Sequence, residues 1–132
     1  IFILIIEYIM KYHSCFSKGN YSIKQSDNIK KVCEFLEKNF DKNISLDMLS
    51  NITNLSKYHL LRSFTKETGI TPYGYLETVR IEKAKIFLEK GISPSETAFL
   101  TGFNDQSHFS NFFKKFIGLT PKQYQNIFIN KN

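Results

Sequence analysis

From residue 27 onward, apolar side chains recur every three or four positions, the spacing of one buried helix face. Ile29, Val32, Cys33, Leu36 and Phe40 form the first such stripe, which predicts a helix opening at Asp27 as N-cap. A break follows at Asp41 to Asn43. Ser45 then opens a short helix with Leu46, Leu49 and Ile52 inward, and Asn54-Leu55 makes a tight turn. Ser56 caps a third helix carrying Leu60, Leu61 and Phe64, and Gly69 ends it as a residue suited to positive φ. Thr71-Pro72 starts a long helix that runs to Lys90 and stops at Gly91, since Pro is favoured in the first turn. Ser93-Pro94-Ser95-Glu96 has the form of a capping box and begins a fifth helix ending near Gly102. Asp105 caps a sixth, with Phe109, Phe112, Phe113 and Phe116, closed by Gly118. Thr120-Pro121 starts the last, with Tyr124, Ile127 and Phe128. No alternating strand pattern appears after residue 27. The expected fold is all-α with about seven helices.

Two stretches of this pattern repeat each other. Ile44-Ser45 corresponds to Ile92-Ser93, Ser50 to Ala98, and Thr53 to Thr101. Ser56 corresponds to Asp105, Leu60 to Phe109, Phe64 to Phe113, and Lys66 to Lys115. The exit Gly69-Ile70-Thr71-Pro72 corresponds to Gly118-Leu119-Thr120-Pro121. Each unit is thus a short helix, a tight turn, a longer capped helix and a Gly-x-Thr-Pro exit, the layout of a helix-turn-helix. A small residue (Ser50 or Ala98) lets the two helices cross closely, and Leu55 or Phe103 plugs the angle between them. The chain divides into residues 1–26, the remnant of an upstream domain plus a polar linker, and a double helix-turn-helix over 27–128. Within the latter, unit one spans about 27–70, a linking helix about 72–90 and unit two about 93–128.

Residues 1–6 are apolar, but Glu7 interrupts them well short of the roughly 20 apolar residues that cross a bilayer. Neither a basic stretch before them nor a cleavage site after them suggests a leader. They read as a core element of a preceding domain, with a dimerisation helix through Phe2, Ile5, Ile6, Ile9 and Phe16 as the other reading.

Composition sharpens this picture in one respect. The formal net charge of +6 favours an anionic partner, without choosing among nucleic acid, lipid and acidic protein. Basic residues spread over several short helices disfavour a membrane surface. Two cysteines, Cys15 and Cys33, make no disulfide framework and suit a reducing, cytoplasmic setting. The carboxylates are scattered over helix surfaces, and nothing has the spacing of a nucleophile triad or a phosphate loop, so no enzyme is expected. His13 and Cys15 alone are too few to hold a metal, and no cofactor is expected.

In a helix-turn-helix the second helix enters the major groove. Opposite Leu60 and Phe64, the first such helix carries Lys57, Tyr58, Arg62 and Lys66. Arg62 has the fork that pairs with guanine, while Lys66, later in the helix, suits phosphate. The second carries Gln106, Ser107, Asn111, Lys114 and Lys115 on its outward face. Gln106 and Asn111 suit adenine, and the lysine pair suits phosphate. His59 and His108 match in position; each is either a contact or a partly buried helix-packing residue, with packing put first for His59 and neither reading put first for His108. The expected base contacts are Lys57, Tyr58, Arg62, Gln106, Ser107, His108 and Asn111. The expected phosphate contacts are Ser56, Lys66, Asp105, Lys114 and Lys115. A linking helix of about 19 residues spans roughly 28 Å, against about 34 Å for one DNA turn, so slightly bent DNA is expected. Any solvated helix also carries Lys, Gln and Asn, so a helical protein-interaction module without specific DNA binding is the competing reading.

The residues from about 27 to 127 resemble the DNA-binding domain of the AraC/XylS family of transcription regulators. The likeness is carried by Leu55-Ser56-Lys57-Tyr58-His59-Leu60-Leu61-Arg62-Ser63-Phe64, by Lys66-Glu67-Thr68-Gly69, and by Thr71-Pro72, Tyr75-Leu76, Arg80 and Ala84. It continues through Gly102-Phe103-Asn104-Asp105-Gln106-Ser107-His108-Phe109-Ser110, Phe113-Lys114-Lys115, Gly118, Thr120-Pro121 and Tyr124. The resemblance implies two reading helices in successive major grooves of double-stranded promoter DNA. Tyr58 and Arg62 would read the first groove, and Gln106, Ser107 and His108 would approach the second. It implies contact with RNA polymerase, usually for activation, and a domain that usually binds as a monomeric unit with two reading heads, any dimer contact lying upstream. Two positions depart from the family. Asn111 stands where Arg is frequent, and Gln125 follows Tyr124 where Arg is frequent. Both remove positive charge from the second unit, so the first is expected to carry more of the affinity. Leu61 stands where some relatives place a polar reader, and either meets a thymine methyl or packs.

Overall fold

The computed structural model describes residues 26–129, and the expectations for residues 1–20, including His13 and Cys15, lie outside them. The described residues form seven α-helices and no strand: α1 (Asp27–Lys38), α2 (Leu46–Thr53), α3 (Lys57–Thr68), α4 (Pro72–Glu89), α5 (Pro94–Leu100), α6 (Gln106–Ile117) and α7 (Pro121–Ile129). The chain separates into two compact units meeting between Lys83 and Ala84, inside the continuous helix α4.

In the first unit, α1 buries Ile29, Val32, Cys33 and Leu36, the predicted stripe. Its N-cap is Ser26 rather than Asp27, which sits in the first turn, where a carboxylate favours the positive end of the helix dipole. The Ser26 hydroxyl donates to Glu67 at 3.2 Å instead of capping its own helix. Ser45 caps α2, accepting from the Met48 N–H at 3.3 Å. Asn54 ends α2 in the left-handed region at φ 59°, a conformation that Asn tolerates better than most residues. Side chains then lock the turn: Ser50 donates to the Leu55 carbonyl, and Thr53 Oγ1 accepts from the Leu55 N–H at 3.3 Å. Helix α3 buries Leu60, Phe64 and Thr68 and ends at Gly69, φ 85°.

Two clamps hold α4 to the rest of this unit. The Tyr75 hydroxyl donates to Glu37 at 2.8 Å. The buried Arg80 guanidinium donates to the Phe40 carbonyl at 2.7 Å and the Lys42 carbonyl at 3.0 Å, satisfying acceptors just beyond α1.

In the second unit, Ser93 accepts from the Glu96 N–H at 3.2 Å. This is the forward half of the expected capping box; the full reciprocal pair forms at Thr120 and Gln123, at 3.0 and 3.1 Å. Helix α5 ends at Leu100, slightly before the expected Gly102. Phe109, Phe113 and Phe103 fill the core, so Phe103 plugs the turn as expected. Tyr124 donates to Glu89 at 2.9 Å, the counterpart of the Tyr75 clamp. Gln125 is 2% exposed and donates to the Leu88 carbonyl at 3.1 Å and the Ile92 carbonyl at 2.6 Å. Position 125 is therefore structural, and the expected loss of DNA-facing charge there is corrected: an amide serves buried carbonyls without the cost of a buried charge.

Cys33 is fully buried, and that burial pushes its thiol up to about 12, against a lowering contribution from its hydrogen bond with Tyr75. An unfolded thiol ionises near 9.0, so above that pH the unfolded chain releases a proton that the folded chain keeps. This thiol alone should make stability fall with rising pH by up to about 1.4 kcal/mol per unit between pH 9.0 and about 12, and the raised Tyr75 phenol acts in the same direction above pH 10.0. Alkylation of the native protein at pH 8, read by peptide mass spectrometry, should spare Cys33 until denaturant is added. Rapid native labelling of Cys33 would contradict its burial.

Candidate nucleic-acid interface

Helices α3 and α6 are each 12 residues long and are built to the same plan. Ser56 Oγ accepts from the His59 N–H at 3.2 Å, and Asp105 Oδ1 accepts from the His108 N–H at 2.6 Å. Gly69 and Gly118 end them at φ 85° and 92°. One face of each is core: Leu60 and Phe64 in α3, Phe109 and Phe113 in α6, all at 0% exposure.

The opposite faces match position for position. Along α3, Tyr58, Arg62 and Lys66 are exposed at i, i+4 and i+8, which stacks them in one row. Along α6 the equivalent row is Ser107, Asn111 and Lys115, also exposed. Tyr58, at 73% exposure, is a large ring left in solvent beside an arginine. Gln106 and Lys114 are exposed beside the second row. Lys57, in the first turn of α3, is ion-paired with Asp47 at 2.6 Å. A lysine there opposes the helix dipole, and Asp47 offsets it.

Ser56 and Asp105 are exposed, and both spend an oxygen on their caps. The Asp105 carboxylate carries the same sign as phosphate, so its evident work is to hold the start of α6 in place. His59 is exposed, and the packing reading put first for it is corrected: at the third helical position its backbone is capped while its ring stays outside the core. His108 is exposed too, yet its ring centroid lies 5.6 Å from that of Phe103 and 6.3 Å from that of Phe112. Leu61 is 39% exposed and borders an apolar hollow of about 270 Å³ shared with Leu46, Leu49 and Tyr73, so part of its surface is packed.

Sequence reasoning missed the polar clamps at Arg80, Gln125 and the two tyrosines. The repeat offered one signal: Tyr75 and Tyr124 stand at corresponding positions after the two Thr-Pro exits. Among the described residues, no group of three or more His, Cys, Asp or Glu side chains is placed to hold a metal, and no helix is long and apolar enough to cross a membrane.

A sequence model of the family described as "Helix-turn-helix domain" matches residues 49–127. A Bacillus subtilis (strain 168) protein, the uncharacterized HTH-type transcriptional regulator YbfI, is 50% identical over 108 residues, covering 82% of this chain and 39% of that protein. The chain thus spans less than half the length of such relatives. A probable AraC family transcriptional regulator from Rhodopseudomonas palustris superposes with a TM-score of 0.73 at 23% identity, over 78% of this chain and 98% of that one. The DNA-binding domain of AdpA, a global transcriptional factor solved in complex with a target DNA, superposes with a TM-score of 0.72 at 22% identity, over 81% of this chain and 100% of that one. At those identities the two structures speak to the fold.

Proposed function

The chain belongs to the AraC-type helix-turn-helix family, and from that premise we propose that it is the DNA-binding part of a transcription regulator. In this reading α3 and α6 each enter a major groove, the two grooves being successive along double-stranded promoter DNA. The carrying observation is the paired rows: Tyr58, Arg62 and Lys66 on one capped helix, Ser107, Asn111 and Lys115 on the other, each opposite two buried side chains. The solved DNA complex of AdpA, which shares the fold, supports it.

Lys57, Tyr58 and Arg62 read bases in the first groove, and Gln106, Ser107, His108 and Asn111 in the second. Lys66, Lys114 and Lys115 neutralise phosphates. Ser56 and Asp105 hold the helix starts, where backbone N–H groups face phosphate. Asn111, exposed and uncharged where the family resemblance leads one to expect Arg, leaves the first unit with more of the affinity. Contact with RNA polymerase, activation and a cytoplasmic location follow from the family reading, and any dimer contact would lie upstream of this domain. A protein-interaction module would show an apolar docking face; these outward faces carry Lys57, Arg62, Lys66, Lys114 and Lys115 instead.

Salt dependence tests the division of labour. Lys66→Ala should weaken specific and random duplexes about equally and flatten the log–log salt slope by about 0.9, one released counterion. An unchanged slope, or a loss confined to one sequence, would take Lys66 off the phosphate backbone.

A further inference from the structure

We propose that Phe112, with Phe103, positions the His108 imidazole on the reading face of α6, making His108 a pre-ordered specificity residue while its counterpart His59 is not. The inference rests on the DNA-binding reading above and adds a residue that reading does not use.

The two histidines provide a comparison inside one molecule. Both are the third residue of a 12-residue helix, both are exposed, and both backbones are capped by the residue three positions earlier. Their surroundings differ. One turn after His59 stands Ser63, and the preceding turn supplies Leu55. Among the described residues, His59 makes no ring contact. One turn after His108 stands Phe112, and the preceding turn supplies Phe103. The His108 ring meets Phe103 at 5.6 Å and 57° and Phe112 at 6.3 Å and 42°, within the range of tilted aromatic pairs.

The holders are themselves held. Phe103 is 6% exposed and packs on the core ring of Phe109 at 5.2 Å. Phe112 stacks on Phe116 at 5.4 Å and 23°. His108, Phe112 and Phe116 therefore form a ladder at i, i+4 and i+8, between the core row of Phe109 and Phe113 and the outward row of Ser107, Asn111 and Lys115. A side chain fixed before binding loses less freedom on meeting DNA, so more of its contact energy appears as affinity. The equivalent position in α3 is serine, so the device belongs to the second unit alone.

The test uses the whole chain and a duplex selected by the wild-type protein. His108→Ala, Phe112→Ser (which copies Ser63), the double variant and His59→Ala are compared by equilibrium binding at one stated salt. Thermal unfolding is recorded for each, and Phe112→Leu keeps apolar bulk if the serine variant does not fold. Phe112→Ser should lose about three- to tenfold in affinity, the range expected for an aromatic pair. The double variant should be no weaker than His108→Ala, and His59→Ala should change little. In NMR spectra of the free protein, the His108 ring protons should lie upfield of those of His59 and move back in Phe112→Ser. A Phe112 loss that persists undiminished without His108 would reduce Phe112 to a packing residue and overturn the proposal. A His108→Ala variant that binds normally while Arg62→Ala does not would overturn it and leave the DNA-binding reading standing. If neither variant changes binding and no duplex is preferred, both fall.

Discussion

Phe64→Ala should destabilise the first unit by about 3–5 kcal/mol, the usual cost of removing a buried ring. Phe64 is 0% exposed and meets Tyr75 edge-on at 6.0 Å. Tyr75 in turn donates to Glu37, so this ring lies where α3 and α4 are tied back to α1. The cavity would open beneath the outward row of α3, and the surrounding helices carry their own clamps, which limits collapse into it. A small domain has only about 5–15 kcal/mol of stability in all, so the loss should show as a large drop in the urea midpoint. DNA binding should fail with it, as a consequence of unfolding. A loss below about 1 kcal/mol would mean that the site repacks freely.

Arg62→Ala should do the opposite: leave unfolding unchanged and cut affinity for the selected duplex by roughly 5- to 150-fold, equivalent to about 1–3 kcal/mol for a bidentate guanine contact. Arg62 is exposed in the middle of the α3 row, between Tyr58 and Lys66, with Leu60 and Phe64 fixing the helix behind it. Arg62→Lys should not restore the loss, because a point charge cannot reproduce the fork. Fluorescence anisotropy on specific and scrambled duplexes, at one salt concentration, separates the terms. An equal loss on both would make Arg62 a phosphate contact.

Local chemistry explains what was legible in the chain. Ser45, Ser56 and Asp105 announce helix starts because a cap bonds an N–H three residues away. Gly69 and Gly118 announce ends because positive φ favours glycine. The buried rows of α3 and α6 follow from spacing alone, and their outward rows follow by elimination. What escaped was a choice between adjacent caps, a long-range bond, or the width of a buried face. Ser26 and Asp27 are both good N-caps by residue type, and the backbone selects Ser26, whose carbonyl accepts from the Ile29 and Lys30 N–H groups while its hydroxyl goes to Glu67. Gln125 looked like a lost surface charge because nothing near it in sequence reveals carbonyls 33 and 37 residues away. Arg80 escaped for the same reason, its acceptors lying 38 and 40 residues back. His59 was misjudged because helical spacing alone does not say how wide the buried face is.

The most direct test of the central claim is selection of binding sites from random duplex DNA with the whole chain at a stated salt concentration. Two short enriched blocks about one helical turn apart are predicted, the first of them blurred when Arg62→Ala replaces the wild type. No enrichment at all, with binding that vanishes at moderate salt, would contradict the account and leave a basic helical domain whose partner is something other than a specific DNA site.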